Sequence, residues 1–418
     1  MNKKKCKINI IGAGISGLTA AKVLEEKGYS PVIIESGSNV GGRLKTEKVE
    51  GHQIDIGFQV LLTAYPAAKK YLNYKDLRLQ KLMSGALIYK NKKQIKFGNP
   101  ITNPSLLFST LFSKIGTFSD KIKILYLYLR LRIKSNEAIF NSKEINTNIY
   151  LKKIGFSDHI ISDFFKPFFG GVFLETDLKT SSRMFEFVFK MFSQGSAAIP
   201  EKGMQAIPEQ MAKSLKKTTF KFNTKVVKVK EKEIFLANKT KIKSDYTIIT
   251  TDLTGKTKWR SCVNLYFETE DKHTSEALIG LITNKHSIVN NLFFPSSITS
   301  NRISKKELLS VTIIDDKNHI NPSLIEQVKK ELKEECNISV GKLIKQYRIP
   351  MALPVLKTLS HRKTLQEAQL SRRVFVAGDI TLNGSLNAAI ISGETAALKL
   401  AKEEGENNLK EEIIHPNN

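Results

Sequence analysis

The segment Ile8-Asn9-Ile10-Ile11-Gly12-Ala13-Gly14-Ile15-Ser16-Gly17 passes from a short apolar stretch directly into three spaced glycines. We expect a buried strand over residues 8–11 and a helix over residues 18–27 that Gly28 ends. A second strand, residues 31–35, finishes on an acid. This order of features predicts a βαβ unit that binds a dinucleotide: a strand, a Gly-x-Gly-x-x-Gly turn, a helix, a second strand and a terminal acid.

Each glycine in this turn has a distinct expected role. Gly12 forms the tight turn, Gly14 lets the backbone approach a pyrophosphate, and Gly17 lets the helix pack closely on the strand. Glu35 is placed to accept hydrogen bonds from a ribose diol, and its charge disfavours a phosphorylated ribose there. The nucleotide is therefore expected to be NAD-like or FAD-like.

Length and composition are those of a multidomain globular protein. The chain has 418 residues, of which 41% are hydrophobic and 25% are charged, so at least two domains are expected. No uncharged apolar stretch reaches the roughly 18 residues of a membrane-spanning helix. Cys6, Cys262 and Cys336 lie far apart, which argues against a metal site, a redox pair or a disulfide framework. A cytoplasmic location is expected, with membrane association left open.

The net charge of +26 raises the question of a nucleic-acid partner. Only 11 of the 66 basic residues are arginine, and the lysines are spread along the whole chain. Arginine is the better reader of phosphates and bases, so this excess resembles a general compositional bias. No nucleic-acid partner is expected.

Further motifs suggest which nucleotide is bound. Val40-Gly41-Gly42-Arg43-Leu44 follows the second strand, and Gln53-Ile54-Asp55-Ile56-Gly57-Phe58 comes shortly afterwards. Here the sequence resembles the flavin amine oxidase superfamily, which includes monoamine and polyamine oxidases, protoporphyrinogen oxidases and phytoene-type desaturases. The resemblance implies that FAD is the cofactor, that Gly-Gly-Arg wraps its diphosphate, and that Asp-x-Gly runs beside the flavin.

The C-terminal part carries a second half of the resemblance. Residues 373–379 are expected to form a strand that ends in Gly378-Asp379, and residues 386–402 are expected to form a helix. The resemblance implies that Gly-Asp contacts the ribityl-diphosphate region, that the helix N-terminus points at the flavin, and that the backbone at Val226 bonds the adenine. The predicted FAD-binding residues are Gly12, Ala13, Gly14, Ile15, Ser16, Gly17, Glu35, Gly41, Gly42, Arg43, Gly57, Phe58, Val226, Gly378, Asp379, Ser385 and Leu386.

The fold class expected is α/β, with a discontinuous Rossmann-like FAD-binding domain and an α+β substrate domain containing a mixed or antiparallel sheet. The FAD-binding domain is assigned residues 1–80, 200–258 and 351–405. The substrate domain is assigned a helical part, residues 81–199, and a sheet part, residues 259–350, and a charged tail follows at 406–418. Further predicted elements are a helix ending near residue 215, a hairpin of 225–229 with 234–236, and strands at 245–250, 264–269, 277–283, 289–294 and 308–314.

Two segments each allow two interpretations. Residues 121–134 combine apolar bulk with five basic residues, so they could lie against an anionic bilayer, although the solvated face of a core helix is favoured. The phenylalanine-rich residues 164–173 could line a substrate tunnel or belong to the core.

The resemblance implies that a substrate C–H bond gives a hydride to flavin N5, which needs no side-chain base. Catalytic side chains are therefore left unassigned, and no metal site is expected. Amine oxidases of the superfamily carry a C-terminal tyrosine or tryptophan in an aromatic cage. The corresponding position here is Ser385, and Phe375 is the only aromatic residue after Tyr347. No cysteine lies near Gly378, so FAD is expected to be bound noncovalently.

The predicted function is an FAD-dependent oxidoreductase that dehydrogenates a small hydrophobic molecule, with oxygen or a quinone as electron acceptor. One alternative is an amine oxidase whose cage comes from other residues, such as Phe58 or Tyr347. Another is a flavin-binding escort protein without turnover. The oligomeric state is not predicted.

Overall fold

The computed structural model describes residues 6–101, 103–269, 276–298, 306–314 and 320–414, and side chains as far as residue 405. The strands are β1 Ile8–Ile11, β2 Val32–Ile34, β3 Thr46–Val49, β4 His52–Asp55, β5 Leu61–Leu62, β6 Gln80–Lys81, β7 Gly85–Lys90, β8 Lys93–Gly98, β9 Ala197–Ile199, β10 Thr219–Lys221, β11 Val226–Val229, β12 Glu233–Leu236, β13 Lys241–Lys243, β14 Tyr246–Ile249, β15 Lys258–Thr269, β16 Ile279–Ile282, β17 Val289–Phe293, β18 Glu307–Ile313, β19 Leu343–Val355, β20 Gln369–Ser371 and β21 Val374–Val376. The α-helices are α1 Ile15–Glu26, α2 Pro66–Tyr71, α3 Leu107–Leu111, α4 Phe118–Ile133, α5 Asn136–Phe140, α6 Thr147–Ile154, α7 Asp158–Ile160, α8 Lys166–Phe173, α9 Ser182–Gln194, α10 Ala206–Ser214, α11 Pro322–Cys336 and α12 Leu386–Ile414.

A six-stranded sheet in the order β10-β2-β1-β14-β21-β20 is the first layer of the described chain. Its first five strands are parallel, and β20 is an antiparallel edge strand. All four residues of β1 are buried, as expected for a central parallel strand that is covered on both faces. Ile8 and Ile10 pack in the cluster that contains α1 and α12, whereas Ile11 packs with residues of the β11-β12-β13 sheet. The strands come from three separated parts of the chain. The predicted fold class, with a discontinuous Rossmann-like domain, is therefore confirmed.

Helices α1 and α12 pack against each other beside this sheet at two glycines. A β-carbon at Gly393 would overlap the carbonyl oxygen of Ser16, and one at Gly17 would overlap the carbonyl oxygen of Gly12. The first close approach joins the two helices, and the second seats α1 directly on the turn that precedes it. The N-terminal and C-terminal motifs are thereby held at one edge of the sheet, although Gly17 and Gly393 are 376 residues apart in sequence.

The second sheet contains seven described strands in the order β19-β15-β18-β17-β16-β7-β8. Every pairing is antiparallel except β7 with β16, so the expected mixed sheet is present. Long β15 and β19 form a ribbon that continues toward the nucleotide-binding layer. Residues 85–98, expected in the helical part, instead form the β7–β8 hairpin. Asn91 and Lys92 at its tip both have positive φ, the backbone of a type I′ turn.

The helical layer, α3 to α9, packs around a core of phenylalanines. Phe165, Phe169 and Phe173 are at most 1% exposed, and the ring of Phe169 lies 4.6 Å from that of Phe185. These side chains therefore belong to the core. A π-helical turn, Ile161–Phe165, joins α7 to α8.

Several element ends differ from the predictions. Helix α1 starts at Ile15 because Gly14 is already its N-cap, and α12 continues to Ile414, well into the segment assigned to a charged tail. The predicted hairpin gains a third strand, β13. None of the described helices combines the length and apolarity needed to cross a membrane.

Candidate functional site

The carboxyl ends of β1, β2, β14 and β21 meet at one edge of the first sheet, where two glycine loops face each other. Gly12 has a φ of +106°, and its N–H donates to the carbonyl of Ile34 at 2.8 Å. A β-carbon on Gly42 would lie 3.3 Å from the Cα of Gly14. A β-carbon on Gly14 would have as its nearest neighbour the Cα of Gly42, at 3.9 Å. The groove above Gly14 is thus open to a ligand. It lies at the N-terminus of α1, whose unpaired N–H groups favour a diphosphate.

The Gly-Gly-Arg segment depends on its glycines for its conformation. Gly41 has a φ of +132° and Gly42 a φ of +60°. The N–H of Gly41 donates to the carbonyl of Ala13 at 3.0 Å, which ties this segment to the first glycine loop. Both predicted diphosphate-binding segments are therefore one continuous structure.

Glu35 lies at the mouth of the same loop. One carboxylate oxygen accepts the N–H of Ala13 at 2.7 Å, and the other accepts the N–H of Gly37 at 2.7 Å and the hydroxyl of Ser36 at 3.1 Å. A carboxylate has about four acceptor positions, so room remains for a ribose hydroxyl. Glu35 therefore lies beside the first glycine loop, and its contact with a ribose stays a prediction.

Val226 is carried to this place by the chain after β10. The N–H of Thr224 donates to the carbonyl of Glu35 at 2.8 Å, and the buried side chain of Val226 packs with Ile11 and Ile34. The start of β11 therefore runs beside the end of β2. A backbone contact between Val226 and an adenine remains a prediction.

Arg43 and Asp379 join the N-terminal and C-terminal motifs. The Nη2 atom of Arg43 lies 2.5 Å from Oδ1 of Asp379, and its Nη1 donates to the carbonyl of Ala352 at 3.3 Å. The guanidinium carbon also lies 5.2 Å from the centre of the Trp259 ring. Sequence reasoning missed both Trp259 and Ala352, which lie on the β15–β19 ribbon and in no nucleotide-binding motif.

The other oxygen of Asp379 gives a test of whether FAD fits. Asp379 is 6% exposed, and its Oδ2 atom is buried without a hydrogen-bond partner among the described residues. A buried carboxylate oxygen needs a donor, because leaving it unsatisfied costs about 1–3 kcal/mol or more. A ribityl hydroxyl is such a donor. Together with the open glycine groove, this unsatisfied oxygen means that the residues present fit FAD.

Ser385 immediately precedes α12, and its hydroxyl makes two hydrogen bonds within the protein. Its hydroxyl accepts the N–H of Ala388 at 3.0 Å and donates to the side chain of Asn383 at 2.7 Å. Gly384 donates to the carbonyl of Asp379 at 3.0 Å, so Leu386 and the helix N-terminus lie close to the Gly-Asp turn. Ser385 thus serves as a helix cap, and it contributes no ring to an aromatic cage.

A small, partly open pocket lies close to these residues. Gln59 lies in its wall and donates to the carbonyl of Arg43 at 3.2 Å, which links the pocket to the nucleotide groove. The rings of Phe58 and Phe293 are 5.0 Å apart across its lining. The lining residues are Gln53, Asp55, Gly57, Phe58, Gln59, Ile199, Tyr266, Phe293, Pro295, Ile298 and Ser310.

Asp55 is held at the pocket wall by protein hydrogen bonds. Its Oδ1 accepts the hydroxyl of Thr46 at 2.5 Å and the N–H of Met204 at 2.9 Å. Burial nevertheless raises the pKa of Asp55 above its usual value. The hydroxyl of Tyr266 donates to the backbone carbonyl of Asp55 at 2.6 Å.

Tyr347, one of the two residues considered for an alternative cage, lies outside this pocket lining. Its hydroxyl donates to Glu47 at 2.8 Å, and its ring packs edge-on against Tyr266 at 6.2 Å. Phe58, the other candidate, does line the pocket. Tyr266, Phe293 and Ser310 were not predicted, because they come from β15, β17 and β18 and no sequence motif marks them.

Comparisons with known proteins agree with this arrangement. The family model for flavin-containing amine oxidoreductases matches residues 15–400. Protoporphyrinogen oxidase 2, chloroplastic/mitochondrial, of Arabidopsis thaliana is 25% identical over 165 residues, which cover 40% of this chain and 32% of that protein. A flavin-containing amine oxidase of Oncorhynchus mykiss is 53% identical over 49 residues, 12% of this chain and 9% of that protein. The chain therefore spans about a third or less of the length of these curated relatives.

A solved structure of a putrescine oxidase double mutant superposes with a TM-score of 0.70 at 14% identity, covering 95% of this chain and 99% of that chain. At this identity the likeness shows a shared fold. The family is shown by the match to residues 15–400, which is most of the chain. This protein belongs to the flavin-containing amine oxidoreductase family, whose members are FAD-dependent oxidoreductases.

Proposed function

We propose that this protein uses FAD to dehydrogenate a small, uncharged, largely apolar molecule bound in the pocket beside Phe58. Bound FAD would supply the acceptor for a hydride or an electron pair. The two glycine loops, Glu35, Arg43 and Asp379 would hold it. The observation that carries the proposal is the chemistry of the pocket wall, which is aromatic and aliphatic with a few polar groups and one carboxyl group, that of Asp55.

The apolar part of the wall comes from separate parts of the chain. Phe58 follows β4, Ile199 ends β9, and Phe293 and Ile298 come from the substrate sheet or just after it. Surfaces of this kind bind a ligand by burying its apolar area. Gln53, Gln59 and Ser310 are left to orient a ligand through neutral hydrogen bonds.

The electrostatics favour a neutral ligand over an ammonium ion. Among the described residues lining the pocket, Asp55 is the only one with a carboxyl group. Burial raises its pKa, which disfavours the negative charge that would attract a cation. The cage position of amine oxidases is taken by Ser385, whose hydroxyl caps α12.

The pocket also lies where a substrate could meet the cofactor. Gln59 contacts Arg43, and Arg43 contacts Asp379, whose free oxygen is expected to face the ribityl chain. These contacts form a continuous path of protein groups from the pocket to the nucleotide groove. The role of the protein in this proposal is to bind, orient and exclude water, because no side-chain base is required.

Amine oxidation is the second candidate, and one observation favours it. Phe58 and Phe293 form a tilted aromatic pair, with 48° between their planes, next to the carboxyl group of Asp55. Aromatic faces attract cations, by about 0.5–2 kcal/mol, so this pair could guide a protonated amine.

Anaerobic reduction of the flavin separates these candidates. The FAD-loaded protein is mixed with neutral apolar compounds that carry oxidisable saturated bonds, such as a porphyrinogen or a partly saturated polyene, and separately with primary and secondary amines. Loss of the visible flavin absorption is followed. We expect the apolar compounds to bleach the flavin and the amines to leave it oxidised.

Two variants connect the result to the pocket. Phe58→Leu should raise the apparent substrate dissociation constant by about tenfold, because aromatic contact area is lost. Phe235→Leu is the matched control, since Phe235 lies on β12 against Lys230 and Lys241, and it should leave reduction unchanged. Rapid bleaching by amines would overturn the proposal in favour of amine oxidation. Bleaching by no compound would favour a flavin-binding protein without turnover.

A further inference from the structure

The exposed apolar side chains of this protein are concentrated in one short part of the chain. Of the seventeen large hydrophobic residues that are exposed in the described structure, eleven lie between residues 101 and 133. Phe112 is 76% exposed and Ile133 is 87% exposed. Single exposed apolar side chains are common on protein surfaces, but a group of them in one patch marks an interaction site. We call these eleven residues the α3–α4 surface: Ile101, Leu107, Phe108, Leu111, Phe112, Phe118, Ile122, Leu125, Tyr126, Leu129 and Ile133.

Helix α4 is apolar on two opposite faces. One face, with Leu127, Tyr128 and Leu131, is buried against the protein. The other face carries six side chains that are 45–87% exposed and recur at helical spacing: Phe118, Ile122, Leu125, Tyr126, Leu129 and Ile133. A helix that is hydrophobic on both faces is normally covered on both. The outer face therefore lacks the partner that its composition requires.

The protein holds this outer face outward. Buried Glu186 on α9 accepts a hydrogen bond from Arg130 at 2.8 Å and one from Lys134 at 2.5 Å. At the other end of α4, Thr117 and Asp120 form a capping box. Because both ends are fixed, α4 cannot rotate to bury its exposed side chains.

Helix α3 is fixed beside α4. The Nζ atom of Lys121 donates to the carbonyls of Leu111 and Ser113 at 2.8 Å and 2.9 Å. The rings of Phe108 and Phe112 stack at 6.4 Å, although both are more than 70% exposed. The two helices thus present one surface.

The charge around this surface is positive. Residues 101–135 contain six basic residues and one acidic residue, and the acidic one, Asp120, is buried in the capping box. Lys121 and Lys123 donate to backbone carbonyls, which do not cancel their charge. Glu186 offsets only one of the two cations that it binds.

We propose that the α3–α4 surface docks on an anionic lipid bilayer, with its aromatic and aliphatic side chains at the level of the headgroups and its cations against lipid phosphates. A second copy of the chain is the less favoured occupant, because each copy carries a formal net charge of +26 and like charges repel. An anionic bilayer complements both the apolar area and the charge. The inference does not depend on the proposed reaction.

Vesicle co-sedimentation of the full-length protein tests the inference. Vesicles of phosphatidylcholine alone are compared with vesicles of equal parts phosphatidylcholine and phosphatidylglycerol. We expect partitioning at least about tenfold stronger on the anionic vesicles, and weaker when salt is raised. The double variant Phe108→Ser/Phe112→Ser should lower partitioning by at least about tenfold, because two aromatic anchors are removed.

The control is Val227→Ser/Leu370→Ser, which changes two side chains that are 50% and 62% exposed outside this surface. It should partition like the unchanged protein, and circular dichroism should show that both double variants are folded. Absence of vesicle binding, or equal binding of the Phe108→Ser/Phe112→Ser variant, would overturn the inference. A dimer in sedimentation equilibrium that this variant dissolves would assign the surface to a second copy and overturn it as well.

Discussion

Replacing Gly14 with alanine should abolish tight FAD binding and leave the protein folded. Gly14 has a φ of −76° and a ψ of 179°, which alanine adopts freely. The added methyl group would have no neighbour nearer than the Cα of Gly42, at 3.9 Å. As the N-cap of α1, the position should change the free energy of unfolding by no more than about 1 kcal/mol.

The effect on FAD should be much larger. The methyl group would occupy the groove through which the diphosphate is expected to pass. Displacing the diphosphate would weaken at least two hydrogen bonds to a charged group, each worth about 1.5–3 kcal/mol. A total of about 3 kcal/mol or more corresponds to at least a hundredfold loss of affinity, since about 1.4 kcal/mol is a factor of ten.

Calorimetric titration of apoprotein with FAD measures this loss, and the thermal midpoint of the apoprotein monitors the fold. Gly405→Ala is a matched control, because a β-carbon there would meet nothing within 4 Å. Gly17→Ala should behave in the opposite way and destabilise the apoprotein, because its β-carbon would overlap the carbonyl oxygen of Gly12. Near-normal FAD affinity in Gly14→Ala would refute the expected path of the diphosphate.

Three further predictions concern single residues. Arg43→Gln should weaken FAD binding by about tenfold or more in the same titration, because the substitution removes a positive charge and a planar group that can donate two hydrogen bonds at once. Unchanged affinity would show that Arg43 is not part of the FAD site. Ser385→Ala should cost about 1 kcal/mol in urea unfolding through loss of the α12 cap, with FAD retention unchanged. Hydrogen bonds from the following loop outweigh partial burial and lower the pKa of Asp252 from 3.8 to about 2. The Asp252 carboxylate therefore stabilises the folded state above pH 3.8, and this stabilisation is lost as the pH falls through about 2. The free energy of unfolding of Asp252→Asn should lack this loss at acid pH. If the variant and the unchanged protein lose stability in the same way as the pH falls, Asp252 does not make this contribution.

The nucleotide-binding half of the fold could be predicted from sequence because its signals are local. Gly12, Gly14 and Gly17 lie in the turn and at the start of the helix, and the buried strand before them contains three isoleucines in four residues. The C-terminal strand and helix carry similar short-range signals. Helix α1 starts three residues before its predicted start because an N-cap glycine gives a weak boundary signal.

The pocket could not be predicted from sequence because its wall is assembled over long distances. Tyr266, Phe293 and Ser310 reach it through the register of β15, β17 and β18, and that register depends on pairing across the whole sheet. Trp259 meets Arg43 for the same reason. The β7–β8 hairpin was missed because its turn, Asn91-Lys92, lacks the glycine that usually marks a type I′ turn.

The visible absorption spectrum of the freshly purified protein, before and after heating, tests FAD binding most directly. We expect a yellow protein that releases free FAD into the supernatant on denaturation, as noncovalent binding by the glycine loops, Arg43 and Asp379 requires. Flavin that stays attached to the denatured chain would contradict noncovalent binding. A colourless protein that cannot be reconstituted with added FAD would contradict the assignment of this cofactor to the site.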